Sequence, residues 1–325
     1  MLLNLNNIVK RINKEIAQFN FGNEPKELYE PIRYSMESTG KRLRPLLTIW
    51  GTYLFSDDLE QAYQPAIAIE VFHNFTLMHD DIMDNAPLRR GRETVHTKWN
   101  PNIAILSGDV MLVKVYDFLS KVEETKIKRV ISSFNACASK VCEGQQRDMN
   151  FETQAVVSEE DYLKMIRNKT AVLLGYSLEL GALISGADDK NIQLLREAGE
   201  SIGVGFQLKD DLLDVYGDEK NFGKKKAGDI AANKKTFLLI KAMEAASDKD
   251  KKILKNLYSS SNTKEEEKIR QVMAIYDKLE IRAITEKKID EYFKDGLKKI
   301  SAVEASLYKK ARLKDFIKEL ITREK

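Results

Sequence analysis

Two acidic patterns with the same spacing are the residues of this chain best suited to chemistry. They comprise Asp80, Asp81 and Asp84, and then Asp210, Asp211 and Asp214. Each ends a stretch with few helix breakers, so its first and last carboxylates should lie one turn apart on one helix face. Carboxylates this close raise one another's pKa or require a cation, and oxygen ligands favour Mg²⁺. If the two helices face each other, they line one cavity with six carboxylates.

A basic loop follows each acidic pattern and predicts an anion held beside the metal. Arg89, Arg90 and Arg92 follow the first pattern, and a polar loop containing Lys224 and Lys234 follows the second. One acidic pattern alone would suit a solvated surface equally well. Two copies, each with a basic loop, favour a metal-bound diphosphate, and the second loop could close over it and exclude water.

Other cations and one histidine could also meet a diphosphate. Lys41, Arg42 and Arg44 crowd into four residues before an apolar helix. They could bind a phosphate, or they could interact favourably with the partial negative charge at a helix C-terminus. His73, two turns before the first aspartate, could hydrogen-bond a diphosphate or be a satisfied core residue. Lys169 enters an apolar helix and must pair with something, for which we favour a bound anion.

The elements that must position these residues are predicted to be helices. Only 6 Pro and 16 Gly occur in 325 residues, which leaves long segments without breakers and predicts an all-α protein. Helices are expected over residues 5–19, 25–38, 46–55, 66–84, 102–122, 127–143, 171–187 and 191–216, with a further helix capped at its start by Ser158 and amphipathic helices over 237–325. No clear linker divides the chain, so we expect one domain over residues 1–325.

Composition excludes several classes of protein. A net charge of +3, from 53 basic and 50 acidic residues, gives no global field for nucleic acid or an anionic membrane. Cys137 and Cys142 are too few for a disulfide framework and wrongly spaced for zinc, which favours a reducing cytoplasm. The longest apolar tract, residues 171–187, is shorter than the roughly 20 residues that span a bilayer. We expect a cytoplasmic protein with no nucleic-acid partner and no stable membrane association.

The remaining chemistry is metal-assisted loss of a diphosphate from carbon. The phosphate-loop pattern of common NTPases does not occur in the sequence, and neither a Ser/His/Asp nor a Cys/His nucleophile set is credible. Metal ions beside an apolar pocket could instead draw a diphosphate away and leave a carbocation. An allylic diphosphate is the substrate for which this ionisation is easy.

The motifs, in this order, resemble those of the trans-isoprenyl diphosphate synthases, also called polyprenyl synthetases. The resemblance covers nearly the whole chain and rests on Gly40, Lys41, Arg44, Pro45, His73, the first acidic pattern, Arg89, Arg90, Gly91, Lys169, Thr170, Phe206, Gln207, the second acidic pattern, Gly223, Lys224 and Lys234. It implies an isoprenoid synthase-type helical bundle around a deep central cavity, usually as a homodimer. It also implies three Mg²⁺ ions held chiefly by Asp80, Asp84 and Asp210.

The same resemblance assigns roles to the other residues. Isopentenyl diphosphate would be held by Lys41, Arg44, His73 and Arg90. The allylic diphosphate would be gripped by Arg89, Lys169, Lys224 and Lys234, while Thr170 and Gln207 would face the forming cation. The reaction would be ionisation, head-to-tail 1'-4 condensation and loss of a proton to the released pyrophosphate. All six aspartates, with Lys169, Thr170 and Gln207, are the catalytic candidates.

Product length in this family depends on side-chain bulk beneath the first acidic pattern. Phe75 lies five residues before Asp80, and Thr76 lies four before it. One aromatic at that depth resembles enzymes that stop at C20, whereas paired aromatics resemble C15 synthases. We therefore expect a short-chain product, C20 before C15, although Phe75 could instead be an ordinary core residue.

Four alternatives remain beside this interpretation. A class I terpene cyclase or a head-to-head synthase would belong to the same superfamily. A non-catalytic partner subunit would typically lose aspartates that are all present here. From another class, Glu70 with His73 and Glu93 with His96 imitate the paired motifs of a di-iron helical protein. Metal analysis would separate iron from magnesium.

Overall fold

The computed structural model describes residues 3–38, 40–217, 227–259 and 263–322. Helices account for most of these ranges, and the only strands within them form one short hairpin. The predicted all-α class is therefore confirmed. Lys224 lies outside the described residues, as do the other residues of 218–226 in the polar loop that follows the second acidic pattern.

The helices are numbered here in chain order. They are α1 (Leu5–Gln18), α2 (Lys26–Met36), α3 (Leu43–Phe55), α4 (Glu60–Met83), α5 (Val95–Lys98), α6 (Pro101–Leu119), α7 (Glu124–Thr153), α8 (Glu159–Ile166), α9 (Val172–Ile184), α10 (Asp189–Tyr216), α11 (Gly228–Ala231), α12 (Phe237–Ala245), α13 (Asp248–Ser259), α14 (Glu265–Lys278), α15 (Ile281–Ala302) and α16 (Leu307–Thr322). A π-helical segment, Arg167–Ala171, separates α8 from α9, and the hairpin strands are β1 (Leu88–Arg89) and β2 (Arg92–Glu93).

Side-chain caps explain where several helices begin. The side chain of Asn4 accepts a hydrogen bond from the backbone N–H of Asn7 at the start of α1. Asn100 caps α6 in the same way, and Ser158 caps α8. Each cap satisfies a backbone donor that lacks a partner within its helix. The predicted helix starts near these residues are accurate to a few positions.

One predicted helix end is wrong. We expected a break after Glu143, but α7 continues to Thr153 and carries Asp148 within the helix. Gly144 does not end the helix, because its missing side chain serves a close approach of the backbone. A Cβ built on Gly144 would stand 2.2 Å from the backbone nitrogen of Lys169.

The residues group into two compact units, each made of segments that are separate in the chain. The first contains residues up to 136, 176–196 and 304–309, and the second contains residues 137–175, 197–303 and 310–325. The single-domain assignment of the whole chain stays a prediction. Among the described helices, none combines the length and apolarity that a membrane span requires.

In the first unit, α4 packs against α3 and α6 and is buried along most of its length. Ile67, Val71 and Phe72 are each at most 1% exposed. The Phe72 ring meets that of Phe134 edge to face, with centroids 5.1 Å apart. This apolar burial fixes the direction of α4 and therefore the place where its acidic C-terminal end emerges.

In the second unit, the C-terminal half of α10 carries the second acidic pattern. The Phe206 ring of α10 packs edge to face on Phe293 of α15, with centroids 5.3 Å apart. Helix α15 also packs against α12 and α14, and α14 packs against the short α11. These contacts hold the segment that follows the second acidic pattern against a helical layer.

Candidate functional site

The first acidic pattern ends α4 with one buried carboxylate and one exposed carboxylate. Asp81 is 5% exposed, and it accepts a hydrogen bond of 2.6 Å from Nε of Arg89. A second guanidinium nitrogen of Arg89 lies 3.4 Å from Oδ2 of Asp80. Asp84 caps the helix and is exposed. Burial raises the pKa of Asp81, and the Arg89 guanidinium works against that rise.

A tight hairpin brings Arg89 back to the end of α4. Arg89 of β1 pairs with Arg92 of β2, and the two residues between them, Arg90 and Gly91, have φ angles of 53° and 74°. Positive φ at both central positions is the geometry that suits a two-residue hairpin turn. The predicted basic turn is thus a hairpin whose first strand supplies the cation for Asp81.

His73 is neutral and hydrogen-bonded to a cation. Its Nε2 lies 3.1 Å from a guanidinium nitrogen of Arg44, which can only donate. Burial lowers the pKa of His73 well below its usual value, and the nearby charges of Arg44, Arg90, Arg89 and Arg42 lower it further. The structure therefore brings together two of the residues predicted to bind isopentenyl diphosphate, Arg44 and His73.

Arg42 has a different role from the neighbouring Lys41 and Arg44. It is 4% exposed, and its guanidinium lies 2.5 Å from Oε1 of Glu70 and 2.8 Å from Oδ1 of Asn13. Its backbone is left-handed, with φ of 50°. The sequence showed three clustered cations but not that the middle one would be buried. Lys41, by contrast, is exposed.

The Glu70 contact also weakens the di-iron alternative. Glu70 is 3% exposed and holds the Arg42 guanidinium. Its supposed counterpart Glu93 lies in strand β2, and His96 lies in the single turn of α5. A pair of Glu-x-x-His motifs on long facing helices is therefore not formed by these four residues.

A pocket in the first unit gathers several predicted residues. Asp81, Arg89 and Arg90 line it together with Ser38, Asn74 and Tyr34. Arg90 reaches Oγ of Ser38 at 3.4 Å. Arg90 is exposed overall, and partial desolvation in the pocket lowers its pKa, as do the charges of Arg89 and Arg42.

The second acidic pattern also buries its middle carboxylate, Asp211, which is 4% exposed. Tyr162 donates its hydroxyl proton to Oδ2 of Asp211, and Nε2 of Gln207 donates to Oδ1 at 3.1 Å. Oε1 of Gln207 in turn accepts from the Thr170 hydroxyl at 3.1 Å. Burial raises the pKa of Asp211 to about 7, although the Tyr162 hydrogen bond lowers it.

Lys169 and Thr170 both lie in the π-helical segment between α8 and α9. Segments of this kind recur at functional sites, because the extra residue redirects side chains. Nζ of Lys169 forms an ion pair of 2.6 Å with Asp148 of α7. The sequence predicted that this lysine must pair, and the structure supplies a carboxylate as one partner.

Asp229 is a functional candidate that we did not predict. Its backbone N–H donates to Oδ2 of Asp214 at 2.9 Å, and its carboxylate lies 3.6 Å from Nζ of Lys234. Its negative charge also raises the pKa of Asp211. The signal was one of three carboxylates within a lysine-rich loop, a composition that is also typical of a solvated loop. The structure thus joins Lys234 to the second acidic pattern through Asp229.

The carboxylates suit magnesium by their chemistry and exposure. Asp84 and Asp210 are exposed, and Asp80 is partly exposed. Among the described residues, no group of three or more His, Cys, Asp or Glu side chains is close enough together to hold a metal ion by itself. Mg²⁺ is commonly bound by one or two carboxylates together with water and substrate phosphates, which needs no such cluster.

The predicted chain-length residues lie on α4 above its acidic end. Phe75 is 9% exposed, and its ring contacts those of Phe72 and His79, with centroids 5.6 Å and 4.7 Å away. The Thr76 hydroxyl donates to the His73 carbonyl of its own helix. The role of Phe75 and Thr76 in product length stays a prediction.

The polyprenyl synthetase family model matches residues 25–276. The chain belongs to the polyprenyl synthetase family. A geranylgeranyl diphosphate synthase of Saccharolobus solfataricus is 40% identical over 269 residues, which cover 82% of this chain and 81% of that protein. A crystal structure of a geranylgeranyl pyrophosphate synthase matches with a TM-score of 0.95 and 39% identity over 100% of both chains.

A second solved structure bears on the metal. A geranylgeranyl pyrophosphate synthase from Corynebacterium glutamicum, complexed with isoprenyl diphosphate and magnesium, matches with a TM-score of 0.87 and 26% identity. The match covers 99% of this chain and 100% of that one. The predicted isoprenoid synthase-type fold is confirmed. The chain is a short-chain prenyltransferase, as predicted.

Proposed function

We propose that this prenyltransferase condenses isopentenyl diphosphate with an allylic diphosphate, head to tail, and releases a C20 all-trans prenyl diphosphate and pyrophosphate. The observation that carries the proposal is the common construction of the two acidic patterns. In each, the middle aspartate is buried and hydrogen-bonded, while the last or first one, Asp84 or Asp210, is exposed. The names of the curated relatives support the C20 product.

The residues around the first acidic pattern bind and orient the substrates in this proposal. Arg89 grips the allylic diphosphate while it holds Asp81 in place. Lys41, Arg44, His73 and Arg90 hold isopentenyl diphosphate. Because His73 is neutral and accepts from Arg44, it directs that guanidinium without adding a competing charge.

The residues around the second acidic pattern complete the binding of the allylic diphosphate. Lys169, Lys224 and Lys234 grip it, and the hydroxyl of Thr170 and the amide of Gln207 face the allylic carbon. The C–O bond between the allylic carbon and its diphosphate breaks, and its electron pair leaves with pyrophosphate. The double bond of isopentenyl diphosphate then attacks the allylic cation and forms the new C–C bond. Loss of a proton to pyrophosphate restores a double bond.

Three Mg²⁺ ions, held by Asp80, Asp84 and Asp210 with the diphosphate oxygens, would supply the positive charge that makes pyrophosphate a good leaving group. The donor set fits this role because all three ligands are carboxylates with some exposure. Asp81, Asp211 and Asp214 orient these ligands from within their own helices.

The direct test is incubation with labelled isopentenyl diphosphate and Mg²⁺. The allylic partner should be varied among the C5, C10 and C15 diphosphates, followed by chromatography of the dephosphorylated products. We expect elongation to C20 with each primer. Failure to elongate any of them would refute the proposed reaction, and accumulation of C15 would refute the proposed product.

Replacement of Phe75 with Ala tests the proposed control of chain length. Removing this ring should deepen the space for the growing tail and shift the product beyond C20. The matched variant is Phe72→Ala, which removes a ring of the same size from the fully buried side of α4. A product of unchanged length from Phe75→Ala would eliminate this residue as the determinant.

We also propose that the protein is a homodimer formed through α6. The helix exposes four large apolar side chains at helical spacing, namely Ile105, Leu106, Val113 and Tyr116. Burial of such a stripe against a second copy would remove it from water. Sedimentation should give twice the chain mass of 37.2 kDa, and Val113→Lys should favour the monomer. A monomeric wild-type protein would refute this.

The cytoplasmic location stays a prediction.

A further inference from the structure

A buried lysine outside every predicted motif supports the segment that carries Asp229 and Lys234. Lys268 lies in α14 and is 5% exposed. Its Nζ lies 2.5 Å from the carbonyl of Ile230, 3.4 Å from that of Ala231 and 2.6 Å from Oδ1 of Asn233. One ammonium group therefore meets three acceptors from a single short stretch of chain.

These acceptors belong to a turn that needs outside support. Helix α11 is a single turn, too short to be stable alone. The carbonyl of Ile230 accepts the backbone N–H of Asn233 at 3.2 Å, and Lys268 adds a second donor to it, a donor to the Ala231 carbonyl and a charge that favours a helix C-terminus. Asn233, just after α11, is left-handed with φ of 59°, and its side chain is fixed by the same ammonium.

Both ends of the turn connect to proposed active-site residues. At its start, Asp229 donates its N–H to Asp214 of the second acidic pattern. At its end, the backbone N–H of Lys234 donates to the carbonyl of Asp229 at 2.9 Å, and the two side chains lie 3.6 Å apart. Lys268 contacts the middle of this turn, so its ammonium fixes the path of the chain from Asp229 to Lys234.

Burial of the Lys268 ammonium at this position costs free energy of desolvation. Burial lowers the pKa of Lys268, while the nearby Glu265 partly restores it. The ring of Tyr258 lies under the ammonium, 4.8 Å from its nitrogen, and adds a favourable cation–π contact. An apolar residue could fill the same space, but it would take the ammonium donor away from the carbonyls of Ile230 and Ala231 and from the amide oxygen of Asn233.

We propose that Lys268 is a positioning residue, which holds the turn so that Lys234 meets the allylic diphosphate beside the second acidic pattern. The inference rests on the proposed role of Lys234. Lys268 touches no substrate in this scheme. Its loss therefore weakens binding of the allylic substrate selectively and leaves isopentenyl diphosphate unaffected, since the residues proposed to bind that substrate, Lys41, Arg44, His73 and Arg90, are not part of this turn.

The test is steady-state kinetics of Lys268→Met with each substrate varied in turn. We expect the KM for the allylic diphosphate to rise about tenfold, with the KM for isopentenyl diphosphate changed by less than about twofold. The matched control is Lys278→Met on the same helix, whose lysine is exposed and pairs with Asp250. It should leave both constants unchanged. Equal rises in both KM values for Lys268→Met would overturn the inference.

A second variant guards against loss of the fold. Asn233→Gly removes the side-chain acceptor and tolerates the left-handed backbone, and it changes an exposed residue. It should raise the same KM selectively. If circular dichroism shows that Lys268→Met is unfolded, this variant decides the matter. A folded Asn233→Gly protein with unchanged KM values would then refute the inference.

Lys234→Ala separates the inference from the proposal on which it rests. If Lys234→Ala raises the allylic KM and Lys268→Met does not, the inference alone fails. If both leave the KM unchanged, the role of Lys234 fails and the inference falls with it. If both raise it, the double variant should have the same allylic KM as Lys234→Ala, because Lys268 acts only through the contact of Lys234 with the allylic diphosphate.

Discussion

The two acidic patterns share one sequence spacing, but they anchor their middle carboxylates with opposite chemistry. Asp81 is held by the guanidinium of Arg89, a cation that also reaches Asp80. Asp211 is held by the hydroxyl of Tyr162 and the amide of Gln207, which are both neutral. Burial raises the pKa of both carboxylates, yet only the first has a cation donating to it.

The different hydrogen-bond partners of Asp81 and Asp211 connect each acidic pattern to a different kind of element within its unit. In the first unit the anchor is ionic and ties α4 to the hairpin that carries the basic residues. In the second unit the anchor is a neutral network that ties α10 to Thr170 in the π-helical segment. Identical spacing in the sequence therefore does not imply identical electrostatics.

The largest effect should come from the carboxylates of both patterns that we propose as Mg²⁺ ligands. Asp80→Asn and Asp210→Asn should each lower kcat/KM by about two to three orders of magnitude, because each removes one charged ligand. Asp315→Asn, an exposed position on α16, is the matched control. Steady-state assays with unchanged circular dichroism would check this. Near-normal turnover of either variant would remove that residue from the site.

The ionic anchor should be the next most sensitive point. Arg89→Met leaves Asp81 as a buried carboxylate without its cation, and we expect roughly a hundredfold loss of kcat/KM together with a lower melting temperature. Arg92→Met in the same hairpin is the control, because Arg92 forms an exposed ion pair with Glu37 and a cation–π contact with Tyr34. Equal effects of the two variants would show that the Asp81 contact is unimportant.

The neutral anchor should be less sensitive than the ionic one. Tyr162→Phe removes one donor and leaves Gln207 in place, so we expect about a tenfold loss of kcat/KM and about 1–2 kcal/mol of stability. Tyr176→Phe removes another buried hydroxyl, which donates to the Val130 carbonyl, and should affect stability only. A larger loss of activity for Tyr162→Phe than for Arg89→Met would reverse the ranking of the two anchors.

The smallest expected effect is a change in how stability depends on pH. Burial raises the pKa of Asp211 to about 7 in the folded protein, compared with about 3.9 for an unfolded Asp. Between these values the folded protein retains a proton that the unfolded chain has lost, so the free energy of unfolding falls as pH rises. Asp211→Asn should flatten this slope in urea unfolding without metal. Identical slopes for variant and wild type would contradict the assignment.

Much of the fold could be predicted because apolar periodicity and caps are local properties of the sequence. The two acidic helices, the basic turn after the first and the capped start of α8 all follow from residues close together in the chain. The end of α7 could not be predicted, since Gly144 is a helix stop in one context and a packing surface in another. Only the backbone of Lys169, far along the sequence, decides between them.

The supporting residues of the site were harder to predict than its ligands. Arg42 looked like one of three equivalent cations, and its partners Glu70 and Asn13 lie on other helices. Tyr162 and Lys268 belong to no motif, so their roles depend on contacts that a single sequence does not display. Ligand residues can be recognised in the sequence by their residue types and spacing. The residues that hold them in place can be recognised only from their contacts in the folded protein.

The π-helical segment Arg167–Ala171 has a consequence for engineering the chain. A π-turn arises where an α-helix contains one residue more than its regular hydrogen bonding needs. Deleting one residue there would restore regular bonding and remove the local widening that carries Lys169 and Thr170. Thr170 would then turn away from Gln207. We expect such a shortened protein to melt at a higher temperature than the natural one and to be a poorer catalyst.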